Sequence, residues 1–417
     1  MTDVTSKRRT AVVDTELRRR ARRVIPGGMY GHLSANMLPD GYPQFYDRAE
    51  GCRVWDVDGN EYIDLMCSFG PVILGHKHPD VERAVAAQQA KGDTMAGPAA
   101  CMVELAELLV DRVAHADWAM FAKNGSDANT VCLMIARAAT GRNTVLAARG
   151  AYHGSAPWST PMLSGVTPAD RASVEYYRFN DIESVERAVE QASGDVAAII
   201  VSPYRHDAGF DQESIDPVFA RALRALCDRI GAALVLDEVR AGFRLNHGGS
   251  WEPIGVKPDL SAWSKAIANG YPIAAVLGSE KYAEGASSIF VTGSFWFEAV
   301  PMAASIATIT ALGEEDAVGS MVQRGRRLRD GIDTQALELG IRVRQTGPVQ
   351  MPNLTFAGDE NFARSRLFCA TAIAEGVILH PRHNWFVSAA LTDADVDEVL
   401  EATDAGLRAV RERFGDS

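Results

Sequence analysis

The sequence is short of several things, and each shortage closes off a class of function. Its six cysteines (Cys52, Cys67, Cys101, Cys132, Cys227 and Cys369) never fall into CxxC spacing. Neither a zinc site nor a disulfide framework is supported, and free thiols in a reducing cytoplasm are the simpler expectation. Positive charge is in the minority: 42 Lys and Arg against 54 Asp and Glu leave a net charge of −12. That balance argues against a nucleic-acid surface or an anionic-membrane surface. The longest weakly polar run, Ala299 to Leu312, is broken by Pro301, Ser305 and two threonines and is too short for a bilayer. No GxGxxG joins a first strand to a helix, which sets dinucleotide binding aside. Repeats and low-complexity linkers are also missing.

What is present is a 417-residue chain, 47% hydrophobic and 23% charged, long enough for a large domain and a smaller one. The basic start, Lys7-Arg-Arg and Arg18-Arg-Arg-Ala-Arg-Arg23, lacks the apolar core of a secretory signal, and Asp3, Asp14 and Glu16 speak against a transit peptide. It reads as an amphipathic surface helix over residues 1–25. Residues 45–66 read as a small antiparallel sheet turning at Asp58-Gly59-Asn60. Gly75-His76-Lys-His78-Pro79 reads as a turn and helix cap rather than a metal site. From about residue 98, strands at 118–121, 144–147, 196–201, 232–236 and 259–263 are interspersed with helices at 99–113, 126–139 and 217–230. Short apolar strands of this kind predict a mainly parallel sheet covered by helices. The tail, with strands at 341–343, 353–356 and 377–379 and helices at 361–375 and 393–413, reads as α+β. The expectation is a large α/β domain over 71–312, with 1–70 and 313–417 together forming a small α+β domain.

Four pieces carry chemistry. Lys123-Asn124-Gly125-Ser126-Asp127 sits between a strand and a helix, where glycine and free N–H groups can cradle a phosphate. An ordinary cap by Ser126 or Asp127 is an equal reading. Tyr152, after the next strand, can stack on an aromatic ring or simply pack. Asp237 ends a buried strand and can hold a proton on a pyridine nitrogen, or anchor a loop. Lys265 directly follows another apolar strand, where its charge is costly unless its pKa falls or it forms an imine. A salt-bridged or phosphate-binding lysine is its other reading. Their order at successive strand ends points to pyridoxal phosphate (PLP), with Lys265 as Schiff-base lysine and Asp237 as pyridine partner.

The chain resembles the class III PLP-dependent aminotransferases of fold type I, most nearly the glutamate-1-semialdehyde 2,1-aminomutase branch. The resemblance is carried by Trp55-Asp-Val-Asp58-Gly-Asn-Glu-Tyr-Ile-Asp64, Gly75-His-Lys-His-Pro79, Asn124-Gly-Ser-Asp-Ala128 and Tyr152-His-Gly154. It continues through Leu236-Asp-Glu-Val239, Gly242-Phe-Arg244, Lys257-Pro-Asp-Leu260, Ser264-Lys265 and Gly293-Ser294. It implies that Gly125 and Ser126 bind the phosphate, that Tyr152 and Val239 take the two ring faces, and that Lys265 and Asp237 are catalytic. It implies that pyridoxamine phosphate forms during turnover. It also implies a homodimer with shared active sites, in which Ser294 reaches the neighbouring subunit's phosphate.

The substrate side departs from that pattern. Ser202-Pro203-Tyr204-Arg205-His206 stands where the family often has Glu-Pro, and Trp296-Phe297-Glu298 is bulkier than the usual stretch. The loop containing Ser164-Gly-Val-Thr-Pro168 is shorter than an aminomutase gating loop. Met29-Tyr30-Gly31-His32 occupies the place of a substrate-binding arginine. The expected function is transfer of an amino group from an amino-acid donor to a ketone or aldehyde acceptor in specialised-metabolite biosynthesis. The Phe295-Trp296-Phe297 patch suggests a cyclic acceptor. Tyr30, His32, Arg205, His206, Trp296, Arg382 and His383 are the substrate candidates. A 1,2-aminomutase is the alternative, and a PLP-binding relative without turnover stands outside both.

Overall fold

The computed structural model describes residues 10–34, 37–206 and 210–415. Two units emerge, one from the described residues of Met1–His78, Ala208–Asp211 and Gly319–Ser417, the other from those of Pro79–Asp207 and Gln212–Val318.

The second unit is built on a seven-stranded sheet. Its strands lie in the order Trp118–Ala122, Ala274–Gly278, Leu260–Trp263, Ala233–Asp237, Val196–Val201, Thr144–Ala148 and Val174–Tyr177. Ala274–Gly278 runs antiparallel to both neighbours, and the other adjacent pairs are parallel. The remaining six strands therefore point one way, and their C-terminal ends share one edge of the sheet, where ligands of open α/β sheets bind.

Alternation along each strand separates the faces. Val235, Ala198 and Ile200 pack with Ala128, Val131, Cys132 and Ile135 of helix Gly125–Thr140. Leu234, Leu236, Ile199 and Val201 face Leu223 and Leu226 of helix Pro217–Ile230 and Val185 of helix Ile182–Gln191. All six residues of Val196–Val201 are buried, as a strand covered on both sides requires. Each such Val, Ile or Leu contributes about 1.5–3 kcal/mol by leaving water.

Local chemistry ends the helices where the pattern needs them to end. Asn124 and Asp216 cap the starts of Gly125–Thr140 and Pro217–Ile230, and Gly141 and Gly231 (both φ 68°) stop them. Asp259 then ties the sheet together. Its carboxylate accepts the Leu234 N–H and an Arg224 N–H, both at 2.8 Å, next to the strand that leads into Lys265.

The first unit holds a four-stranded sheet of Tyr46–Glu50, Arg53–Asp56, Glu61–Asp64 and Val377–Ile378. The expected turn at Asp58-Gly59-Asn60 is in place: the Asp56 carboxylate accepts the N–H groups of Asp58 (3.0 Å) and Asn60 (2.9 Å) and the Tyr62 hydroxyl (2.9 Å). Val377–Ile378 from the far end of the chain pairs parallel with Glu61–Asp64. The basic stretch forms helix Val12–Val24; Lys7, Arg8 and Arg9 lie outside the described residues. His76 meets the Asp64 carboxylate at 2.9 Å, so the first histidine of the Gly75–Pro79 motif has a structural partner.

Candidate active site

Five strand ends converge on one cavity of about 300 Å³. Trp118–Ala122 delivers Asn124, Gly125 and Ser126, and Thr144–Ala148 leads to Tyr152, His153 and Gly154. Val196–Val201 leads to His206. Ala233–Asp237 ends in Asp237 and continues to Val239 and Arg240. Leu260–Trp263 leads to Lys265. Asp237 pairs in register with Ala262, which brings the two strand ends side by side.

The phosphate turn differs in one detail from the expected cap. The side chain of Asn124, not of Ser126 or Asp127, caps the helix, accepting the Asp127 N–H at 3.0 Å. Gly125 and Ser126 thus sit in the first helical turn, whose N–H groups have no intrahelical acceptor and favour an anion. Two glycines keep the turn open. A Cβ on Gly125 would lie 2.6 Å from Cγ1 of Val239, and one on Gly154 would lie 2.2 Å from Ser126 Oγ. Ser126 Oγ accepts the Ser155 N–H at 2.9 Å, locking the two loops together.

Asp237 is buried and held from three sides. One carboxylate oxygen accepts Asn129 Nδ2 at 2.9 Å and faces His153 Nδ1 at 2.7 Å; the other accepts the Val239 N–H at 3.0 Å. Next to a carboxylate, Nδ1 of His153 carries the proton. Lys265 is half-buried and adopts φ 52°, a left-handed conformation that a non-glycine residue takes up only under constraint. Burial first, and the Arg240 guanidinium second, lower its pKa from 10.5 to about 7. Tyr152, half-buried, has its hydroxyl pKa raised, chiefly by burial. A helix N-terminus, two glycines at closest approach, a fixed carboxylate and a lysine of lowered basicity fit the phosphate, ring nitrogen and aldehyde of PLP. Gly125 and Ser126 could hold the phosphate, Asp237 the ring nitrogen and Lys265 the aldehyde carbon.

Of the substrate candidates, His206 lines this cavity and Arg205 does not. Arg205 lies on the short strand Tyr204–Arg205, where successive side chains point to opposite faces, and it pairs with Glu213 at 3.7 Å. Trp296 lines a neighbouring hollow with Ser126, Thr130 and Phe290. Ser294 is exposed and is not among the lining residues. Tyr30, His32, Arg382 and His383 belong to the first unit. There Tyr30 is 75% exposed, the His32 ring lies 5.1 Å from Phe69 and 5.9 Å from His383, and Arg382 sits 4.4 Å over the Phe362 ring. Reading the sequence missed Asn129, His153 and Arg240. Asn129 falls four residues after Gly125, on the same helical face, and that spacing could have revealed it.

The family model for class III aminotransferases matches residues 37–405. The chain is 50% identical to the aminopentol aminotransferase of Sphingopyxis macrogoltabida, covering 96% of this chain and 94% of that protein. It is 32% identical to the glutamate-1-semialdehyde 2,1-aminomutase of Desulfatibacillum aliphaticivorans, covering 94% and 98%. The PLP-bound structure of the FumI protein of Sphingopyxis sp. MTA144 superposes with a TM-score of 0.95 at 50% identity, covering 96% and 97%. With cofactor geometry, family model and relatives in agreement, the chain belongs to the class III aminotransferases and is a PLP-dependent enzyme of fold type I.

Proposed function

We propose that this aminotransferase interconverts a polyhydroxylated aliphatic amine and its ketone, with an amino acid and its keto acid as the other pair. The observation that carries the reading is 50% identity, over 96% of the chain, to an enzyme named for an aminopentol. The cyclic acceptor suggested by Phe295-Trp296-Phe297 remains one arm of the test, and the 1,2-aminomutase reaction is the distant alternative.

When bound, PLP supplies an electron sink for the carbon that gives up its proton. In this reading Gly125 and Ser126 hold the phosphate, and Tyr152 and Val239 flank the ring. Asp237, fixed by Asn129 and His153, keeps a proton on the pyridine nitrogen. Lys265 would hold the aldehyde carbon and serve as base and acid for the proton at the substrate α carbon; its lowered pKa leaves a large uncharged fraction near neutral pH. The enzyme acts as a homodimer, with Ser294 reaching the partner's phosphate. The exposed Phe290, Phe295 and Phe297 around Ser294 support that assembly. All six cysteines are buried as thiols outside any disulfide, which supports a cytoplasmic setting. No helix among the described residues is long and apolar enough to cross a membrane.

The test is a donor screen on PLP-loaded enzyme, read as conversion of bound PLP to pyridoxamine phosphate, then an acceptor screen on that form. Polyhydroxylated amines should convert the cofactor, and Lys265→Ala should not. Turnover of a lone aminoaldehyde without a second amine would instead establish the aminomutase.

A further inference from the structure

His206 closes the cavity that contains Lys265 and Asp237, yet holding the cofactor makes no use of it. It is 9% exposed, and its Nδ1 is buried without a hydrogen-bond partner among the described residues. A polar atom left unpaired in the interior is costly, and the ring that carries this one also lines the cavity, where its remaining polar edge can meet a ligand.

The ring is fixed by its surroundings. It packs edge-on against Tyr204, with centroids 5.1 Å apart and planes at 64°. Tyr204 is itself buried and hydrogen-bonded to Arg240. Burial, then the nearby Arg240, Lys265 and His153, push the His206 pKa well below its ordinary value. The imidazole is therefore uncharged and offers one donor and one acceptor. An anionic group would be better met by Arg240 or the helix N-terminus, and an apolar group would leave the imidazole's hydrogen-bonding capacity toward the cavity unused. A hydroxyl both donates and accepts, so it completes either tautomer.

We propose that His206 is a specificity-determining residue that hydrogen bonds a hydroxyl group on the substrate's carbon chain. This rests on the transamination reading above and narrows it, since the hydroxyl becomes something the site reads rather than tolerates.

Calorimetry on the PLP-loaded Lys265→Ala variant decides the matter without turnover. The probes are 2-aminohexane and the 2-aminohexanols with one hydroxyl at carbon 3, 4 or 5. At least one hydroxyl position should tighten binding about tenfold over 2-aminohexane. The added change His206→Ala should abolish that gain, and His206→Gln, an uncharged donor and acceptor, should retain most of it. His206→Phe keeps a ring against Tyr204 without the nitrogens and should behave as alanine does, which separates lost bonding from lost packing. A hydroxyl preference absent from the parent variant, or undiminished by both His206→Ala and His206→Phe, overturns the proposal. Failure of the Lys265-intact enzyme to convert its cofactor with any of these amines would count against the transamination reading, while the calorimetric comparison still decides His206.

Discussion

His153 Nδ1 lies 2.7 Å from the carboxylate of Asp237, and Asn129 Nδ2 meets the same oxygen at 2.9 Å. The two donors fix the plane of a carboxylate that would otherwise be free to rotate. A hydrogen bond to a charged group is worth about 1.5–3 kcal/mol. His153→Ala or Asn129→Ala should therefore lower kcat/KM by roughly 10- to 100-fold. Steady-state kinetics beside the apoprotein's melting curve checks this. A fall in activity no larger than the fall in stability explains would mean that neither residue orients Asp237.

Gly125 should not accept even a methyl group. A Cβ there would stand 2.6 Å from Val239 Cγ1 and 2.8 Å from Cγ2. Gly125→Ala should cost about 1–3 kcal/mol through overpacking and weaken PLP binding. Val239→Ala in the same chain removes the colliding atoms, so the double variant should regain stability relative to additivity. Denaturant unfolding of the four proteins gives the coupling, and strict additivity would rule out the contact.

Lys265 makes a pH-dependent contribution to stability. Its pKa falls from 10.5 to about 7 on folding. Between those values the unfolded chain binds a proton there that the folded chain does not, so stability rises with pH across the window. Below pH 7 the partly desolvated ammonium is at its most unfavourable. Lys265→Met should thus stabilise the apoprotein most near pH 6 and least near pH 10, measured by urea unfolding at both. An equal effect at the two pH values would show that the lysine is not perturbed.

Lys123 Nζ meets Glu298 at 2.5 Å and the Pro272 carbonyl at 3.0 Å, pinning the segment before helix Ala299–Glu314 beside the phosphate turn. The partners are 17% and 18% exposed, so solvent screens the pair in part. Lys123→Met should cost about 1–2 kcal/mol, less than the roughly 3–5 kcal/mol of breaking a fully buried pair. Limited proteolysis should then cut sooner within residues 289–298. An unchanged digestion pattern would mean that the segment is held by its aromatic packing instead.

The cofactor half of the site was readable because each of its parts sits at a strand end with its own chemical signature. Asp237 and Lys265 follow uninterrupted apolar runs, and Gly125 stands between a strand and a helix. The strand Ala274–Gly278 carries no turn or motif signal of its own, although no helix long enough for a parallel crossover separates it from Trp263. That short gap calls for an antiparallel neighbour. His153 has no role that sequence alone can assign, because its partner Asp237 is remote in sequence. Arg205 and His206 are equivalent in the sequence; only the second, just past the strand Tyr204–Arg205, lines the cavity. Tyr30 and His32 stand where an aminomutase places its substrate arginine, a pattern this chain leaves there, and Arg382 and His383 are candidates by their side-chain chemistry alone.

The pairing of Glu61–Asp64 with Val377–Ile378 has a consequence for how the protein is made. A ribosome releases the hairpin that ends in Glu61–Asp64 long before its parallel neighbour Val377–Ile378 emerges. Until then Glu61–Asp64 presents an open edge, which invites pairing with another chain. Closing so long a loop is slow, because its entropy is lost before any contact compensates. Truncation near the C-terminus should therefore do more than remove a helix. It should leave the nascent N-terminal sheet permanently unfinished, and aggregation during synthesis is the expected phenotype.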